Sequence, residues 1–200
     1  MLTHQDLHSL EHYSASRSDY KRLAVEHRKR RQIKLGQNIT LHFEDRMTVQ
    51  YQIQEMLLIE RTFNQQGIQD ELDAYNPLIP TGTNFKVTLT IEYGDPELRA
   101  AALTRLHGVE DRVYVRVEDC APVYAIADED LDRSTDTKTA AVHFLRFELT
   151  EDMINALKHD QAALTVGVDH AEYTHTTRVH VGTVQLLLQD FDQQPHLVLN

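Results

Sequence analysis

The stretch Phe85-Lys86-Val87-Thr88-Leu89-Thr90-Ile91-Glu92-Tyr93 decides the fold class. Its odd positions are apolar and its even positions polar. That is the period of a strand with one dry and one wet face. One-sided wetting points to antiparallel pairing, because parallel strands are buried on both faces. Working outward, residues 38–43 repeat the pattern, with Ile39, Leu41 and Phe43 opposite Thr40 and His42. Residues 113–117 alternate again, and 123–127 form a further strand after a link of hairpin length. Residues 140–149 set Val142, Phe144 and Arg146 opposite His143, Leu145 and Phe147, and 164–168 make the last expected strand.

The N-terminal half has helical spacing instead. Thr3-x-x-Asp6 has the form of a helix start, followed by Leu7, Leu10 and Tyr13. A second, basic helix is expected over 18–32. The clearest helix spans 44–66, with Met47, Val49, Ile53, Met56, Leu57, Ile59 and Phe63 on one face and Gly67 as its stop. A short helix follows over 68–75. Asp95-Pro96 and Thr150-Glu151-Asp152 open two more. The expectation is an α+β protein: a mainly antiparallel sheet covered by N-terminal helices. It forms a single domain over residues 1–180, with 181–200 as a fraying tail that carries a short apolar patch at 184–188.

Composition narrows the setting. Hydrophobic residues make up 41% and charged residues 26%, ordinary for a globular chain. No apolar run reaches bilayer length, so no membrane contact is expected. Cys120 is the single cysteine, which rules out an internal disulfide or a cysteine-rich metal centre and suits a reducing, cytoplasmic compartment. The net charge of −11 argues against nucleic acid as a partner. Charge is uneven, however. Residues 17–34 hold eight Lys or Arg against Asp19 and Glu26, and 128–136 is an acidic loop.

No Gly-rich phosphate loop, H-E-x-x-H pair or G-x-S-x-G elbow is present. Four weaker features remain. His4, His8 and His12 share a helical spacing that could hold a divalent ion, although an incidental exposed stripe explains them as well. Asp169, His170, Tyr173 and His175 gather in a turn, and His143 could neighbour them; imidazoles plus a carboxylate suit zinc or iron. The competing account is a turn pinned by side-chain hydrogen bonds. Arg46, Gln50 and Gln54 recur every four residues beside Glu55 and would read a polar or anionic ligand if enclosed, or be ordinary surface if not. Asp119 beside Cys120 argues against a primed thiol.

Several longer strings occur together: FEDRMTVQYQIQEMLLIER from Phe43, GIQDELDAYNPLIP from Gly67, YAIADED from Tyr124, VHFLRFEL from Val142 and GVDHAEY from Gly167. Together they resemble the bacterial family catalogued as domain of unknown function 3501. The likeness runs from Leu2 to His175, and the stretch beyond departs from the family pattern. Among the family's residues are Glu44, Arg46, Gln54, Glu55, Asn76, Pro77, His143, Arg146, Asp169, His170, Tyr173 and His175; the His4–His8–His12 stripe is not among them. The resemblance implies a genomic setting beside rubrerythrin-like and iron–sulfur oxidoreductases.

Three readings stay open. The preferred one is a cytoplasmic accessory or ligand-binding protein of redox or oxidative-stress metabolism. It would act with a redox protein partner and bind its ligand through Arg46, Gln50, Gln54, Glu55 and Arg146. The second is a metalloprotein or metalloenzyme holding zinc or iron through His143, Asp169, His170 and His175. The third is a homodimeric scaffold with the polar helix seam as its interface. None assigns a catalytic residue.

Overall fold

A computed structural model describes residues 1–129, 133–135 and 137–192. The strand FKVTLTI becomes β3 (Asn84–Ile91), the middle of a five-stranded antiparallel sheet. Its neighbours are β2 (Ile39–Phe43), β1 (Gln32–Leu35), β7 (Val142–Glu148) and β6 (Ile126–Ala127), in the order β1-β2-β3-β7-β6. A second antiparallel sheet follows the order β5-β4-β8-β9, from β4 (Val113–Val117), β5 (Val123–Tyr124), β8 (Leu164–His170) and β9 (Tyr173–Arg178). Only Ala125 separates β5 from β6, so the chain crosses between sheets within one residue. On the far side the β1 and β9 edges meet through Tyr173 Oη, which donates to Leu35 O at 2.6 Å, and Thr177 Oγ1, which donates to Lys34 O at 3.2 Å. The sheets therefore wrap into a flattened barrel.

Alternation explains the core. Phe85, Val87, Leu89, Ile91, Leu145 and Phe147 point from the first sheet to Val113, Val115, Val117, Leu164, Val166 and Val168 of the second. Each fully buried aliphatic or aromatic side chain contributes on the order of 1.5–3 kcal/mol. The helices α4 (Pro96–Arg105), α5 (Glu151–His159) and α6 (Val181–Leu187) contribute Ala102, Leu157, Val184 and Leu187 to the same core.

The N-terminal helices cover a sheet, as expected, but on its polar face; the second sheet takes the apolar one. They are α1 (Leu10–Arg30), α2 (Arg46–Glu60) and α3 (Gln65–Tyr75). Leu2, Val49, Ile53, Leu57, Leu72 and Ile79 form their own apolar cluster. The helix expected over 3–13 is only a 3₁₀ turn, His4–Asp6, and α1 runs on without the break expected before Ser18. The long helix stops at Arg61, whose backbone takes the left-handed conformation (φ 55°), six residues before Gly67. Asn64 then caps α3 by accepting from Gly67 N at 2.7 Å. Asp45 and Thr48 form a reciprocal cap at the start of α2.

The expected tail is partly core. Val184, Leu187 and Phe191 are buried, and Arg31 donates to Asp190 across 2.5 Å. Asp130, Asp132 and Asp136 of the acidic loop, and residues 193–200, lie outside the described residues. No helix among the described residues is long and apolar enough to cross a membrane.

Candidate functional site

The α2 seam is filled by the chain itself. Arg46 donates to Met1 O at 2.8 Å and to the Asp6 carboxylate at 2.5 Å, and Gln50 donates to Asp6 O at 2.5 Å. Gln54 pairs with the backbone of His8. Glu55 accepts from Tyr13 Oη at 2.7 Å and from Arg17 at 2.7 and 2.8 Å. The Arg17 hydrogen bond is the largest of the effects that hold the Glu55 carboxyl below its ordinary range.

Asp169, His170, Tyr173 and His175 lie on the β8–β9 hairpin and turn to different partners. Asp169 accepts from Tyr124 Oη at 2.5 Å and pairs with Arg112 at 2.9 Å. His170 donates to His107 O at 3.1 Å. Tyr173 bridges Leu35 O and Asn38 N, and His175 stands 5.0 Å from its ring. Gly36, at φ 69°, fits there because a Cβ would come within 2.6 Å of both Tyr173 Oη and His175 Nε2. Among the described residues no three His, Cys, Asp or Glu side chains converge in a way that could hold a metal ion. The His4–His8–His12 stripe is not one helical face: His4 meets Gln69 at 3.1 Å, while His8 meets Tyr20 Oη at 2.8 Å.

His143 belongs to a different cluster. It is fully buried on the inner face of β7, with Nδ1 2.5 Å from Asp128 Oδ2 and Nε2 2.7 Å from Thr139 Oγ1. Ala140 O, 3.1 Å from Nε2, can only accept, so that nitrogen carries a hydrogen. Thr139 donates to Glu110 at 2.8 Å, and Ser134 Oγ bonds to the other Glu110 oxygen. Burial alone would raise the Glu110 carboxyl, but hydrogen bonds led by Ser134 outweigh it and its pKa lies below the ordinary value. Asp128 also accepts from Phe144 N at 2.9 Å. This chain of bonds ties both ends of the 128–139 loop to β7.

Glu129 and Arg133 form one wall of a groove between the helical layer and the polar face of the first sheet. A cavity of 580 Å³ is lined by Tyr75, Leu78, Lys86, Glu129, Arg133 and Phe144, with Arg146 at its floor. A second of 210 Å³ shares Tyr75, Leu78 and Phe144 and extends towards Arg28, Glu44 and Gln52. Volumes of this order suit a small organic molecule.

The groove's charges are unequally satisfied. Arg146 donates to both Glu129 oxygens at 2.7 Å and to Glu148 at 2.5 Å. Its hydrogen bond lowers the Glu129 carboxyl. Lys86 faces Arg146 directly across the β3–β7 ladder. Its ammonium makes no hydrogen bond or close ion pair with a described residue, and burial pushes its pKa down. Arg133 lies 4.5 Å over the Phe144 ring. Arg28 Nε is buried without a hydrogen-bond partner.

Of the residues expected to bind a ligand, only Arg146 lines this groove. Nothing in the local sequence around Lys86, Tyr75, Phe144 or Arg133 marks them as ligand residues. One signal pointed to them: Val142 and Phe144 are apolar residues on the wet side of their strand, which implies a covering layer.

The family model described as protein of unknown function (DUF3501) matches residues 1–191. The chain belongs to the DUF3501 family. The match extends past His175, where the sequence was expected to leave the family pattern, and takes in the core residues of α6. A crystal structure of a novel protein of unknown function from Burkholderia pseudomallei is similar to this chain, with 50% identity and a TM-score of 0.90. It covers 96% of this chain, and the match takes in 99% of that one. No curated protein matches.

Proposed function

We propose that this protein binds a small organic anion with an apolar or aromatic body in the groove between the helical layer and the first sheet. One observation carries the reading. Lys86, partly desolvated and without a direct ionic partner, stands in the same half-open groove as an apolar wall of Tyr75, Leu78 and Phe144. A carboxylate or phosphate beside Lys86 would relieve a desolvated, unpaired charge, while Phe144 and Tyr75 offer ring faces to the ligand's body. Glu129 and Glu148 already neutralise Arg146, which therefore acts as a fixed floor. A cytoplasmic setting belongs to the same proposal and rests on the lone, exposed Cys120.

The test is calorimetric titration with aryl carboxylates and aryl phosphates against the wild type, Lys86→Met and Phe144→Ala. Saturable binding that weakens at least about tenfold (~1.4 kcal/mol) in each variant supports the reading. Equal affinity in all three proteins, or no saturation with any probe, would overturn it.

A further inference from the structure

Residues 1–8 are attached to the molecule as a ligand is attached to a receptor. Their backbone makes no backbone–backbone hydrogen bond to a described residue outside the segment. Their hydrogen bonds to the rest of the chain come from side chains: those of α2, of α3 and of the turn after it, with Tyr20 of α1 meeting only the His8 ring. Asn76 Oδ1 accepts from Leu2 N at 2.7 Å, and Asn76 Nδ2 donates to Leu2 O at 3.0 Å. Gln54 repeats the device on His8, accepting from N at 2.6 Å and donating to O at 3.4 Å. A side-chain amide that satisfies both backbone groups of one residue reads main chain, whatever side chain that residue carries.

Sequence is read separately. Leu2 is 3% exposed and enters the cluster of Val49, Ile53, Leu57, Leu72 and Ile79. The Asp6 carboxylate meets Arg46, a charge-assisted bond roughly twice as strong as a neutral one. The segment is also bent by its own chemistry, since Thr3 N and Oγ1 both donate to Asp6 Oδ2 at 2.8 Å. An apolar anchor, an acidic anchor and two backbone-reading amides on a pre-bent segment make up a peptide-recognition contact.

We infer that this face of α2, with the turn at Asn76, is a peptide-binding site occupied in cis by the chain's own N-terminus. In trans it takes a peptide with an apolar residue followed four positions later by aspartate. The cis segment competes at an effective concentration on the order of millimolar, so the intact protein masks the site.

The test uses the full chain carrying Leu2→Asp, which expels the anchor and leaves the receiving surface untouched. The probe is a fluorescently labelled peptide of residues 1–9. The variant is expected to bind it saturably, and the wild type at least tenfold more weakly. Peptides carrying Leu2→Ala or Asp6→Asn should lose at least tenfold, as should the variant with Arg46→Ala added. A cooperatively folded Leu2→Asp protein that binds no peptide, or binds the altered peptides equally well, overturns the inference. If that variant does not fold, hydrogen exchange on the wild type decides. The His8 amide should exchange at least a hundredfold faster than the β3 amides, and equal protection would overturn the inference.

Discussion

Arg31 and Asp190 meet at 2.5 Å with neither side chain more than 2% exposed. The pair ties the end of α1 to the segment after α6. Arg31 also donates to Phe43 O, Leu186 O and Glu44 O, so one guanidinium holds three pieces of chain. Truncation by Asp190→Ala strands a buried cation that keeps its carbonyl partners. The expected cost is about 3 kcal/mol, measured by urea denaturation above about pH 8, where the Asp190 carboxyl is ionised. A loss under about 1 kcal/mol would mean the pair is replaceable by those carbonyls.

The same carboxyl gives a pH dependence. Burial pushes Asp190 up to about 7 from an unfolded value of 3.8, against the pull of Arg31. The folded chain then holds a proton that the unfolded chain releases. This contribution is fully present below about 3.8 and is lost as pH rises through about 7. Relative to Asp190→Asn, the wild type should lose stability between pH 4 and 7. A flat difference across that range would show that Asp190 is ionised throughout.

His143 should matter more for the loop than for the core around it. His143→Ala leaves Asp128 without its imidazole partner and Thr139 with an unfilled acceptor. The expected loss is about 3 kcal/mol of stability. Asp128 has φ 47°, where glycine is at ease, so Asp128→Gly loses the hydrogen bonds without adding backbone strain. Both variants should also weaken binding in the groove, because Glu129 and Arg133 lie on the loop they anchor. Unchanged ligand affinity in a destabilised His143→Ala protein would separate the loop from the site.

Gly167 lies flat beneath Tyr114, whose ring a Cβ would approach to 2.3 Å. Gly167→Ala should cost about 1–3 kcal/mol. Adding Tyr114→Ser should recover most of that loss, giving a coupling energy above about 0.5 kcal/mol in a thermal-denaturation cycle. Strictly additive effects would place the strain elsewhere.

Most strands were legible because a period of two survives in FKVTLTI and VHFLRFE whatever surrounds them; β1 and β9 were not, since QIKL is short and YTHTTR has no apolar alternation. Asp45, which caps α2, fell inside the helix expected over 44–66, whereas the caps at Asp95 and Thr150 were local and legible too. The second sheet was not, because it joins β4 to β8 across about fifty residues and no local period records a partner. The break expected before Ser18 is absent because Ser14, Ala15 and Ser16 tolerate helix; of α1 Tyr13 and Ala24 are fully buried, and Leu10 packs against the helical cluster. The polar seam of α2 reads in sequence as a ligand site if enclosed, as ordinary surface if not, or as a dimer interface; its partners are residues 1–8 of the same chain and, at Glu55, Tyr13 and Arg17. The groove was hidden for a related reason: Tyr75, Lys86, Arg133 and Phe144 come from four segments, and none is unusual where it stands.

Ala125, alone between β5 and β6, has a mechanical consequence. A chain stitched from one layer to the other by one amino acid leaves no slack for the layers to part or slide independently. Their slowest-exchanging protons should therefore open in a single event, and a residue inserted beside Ala125 should split that event in two.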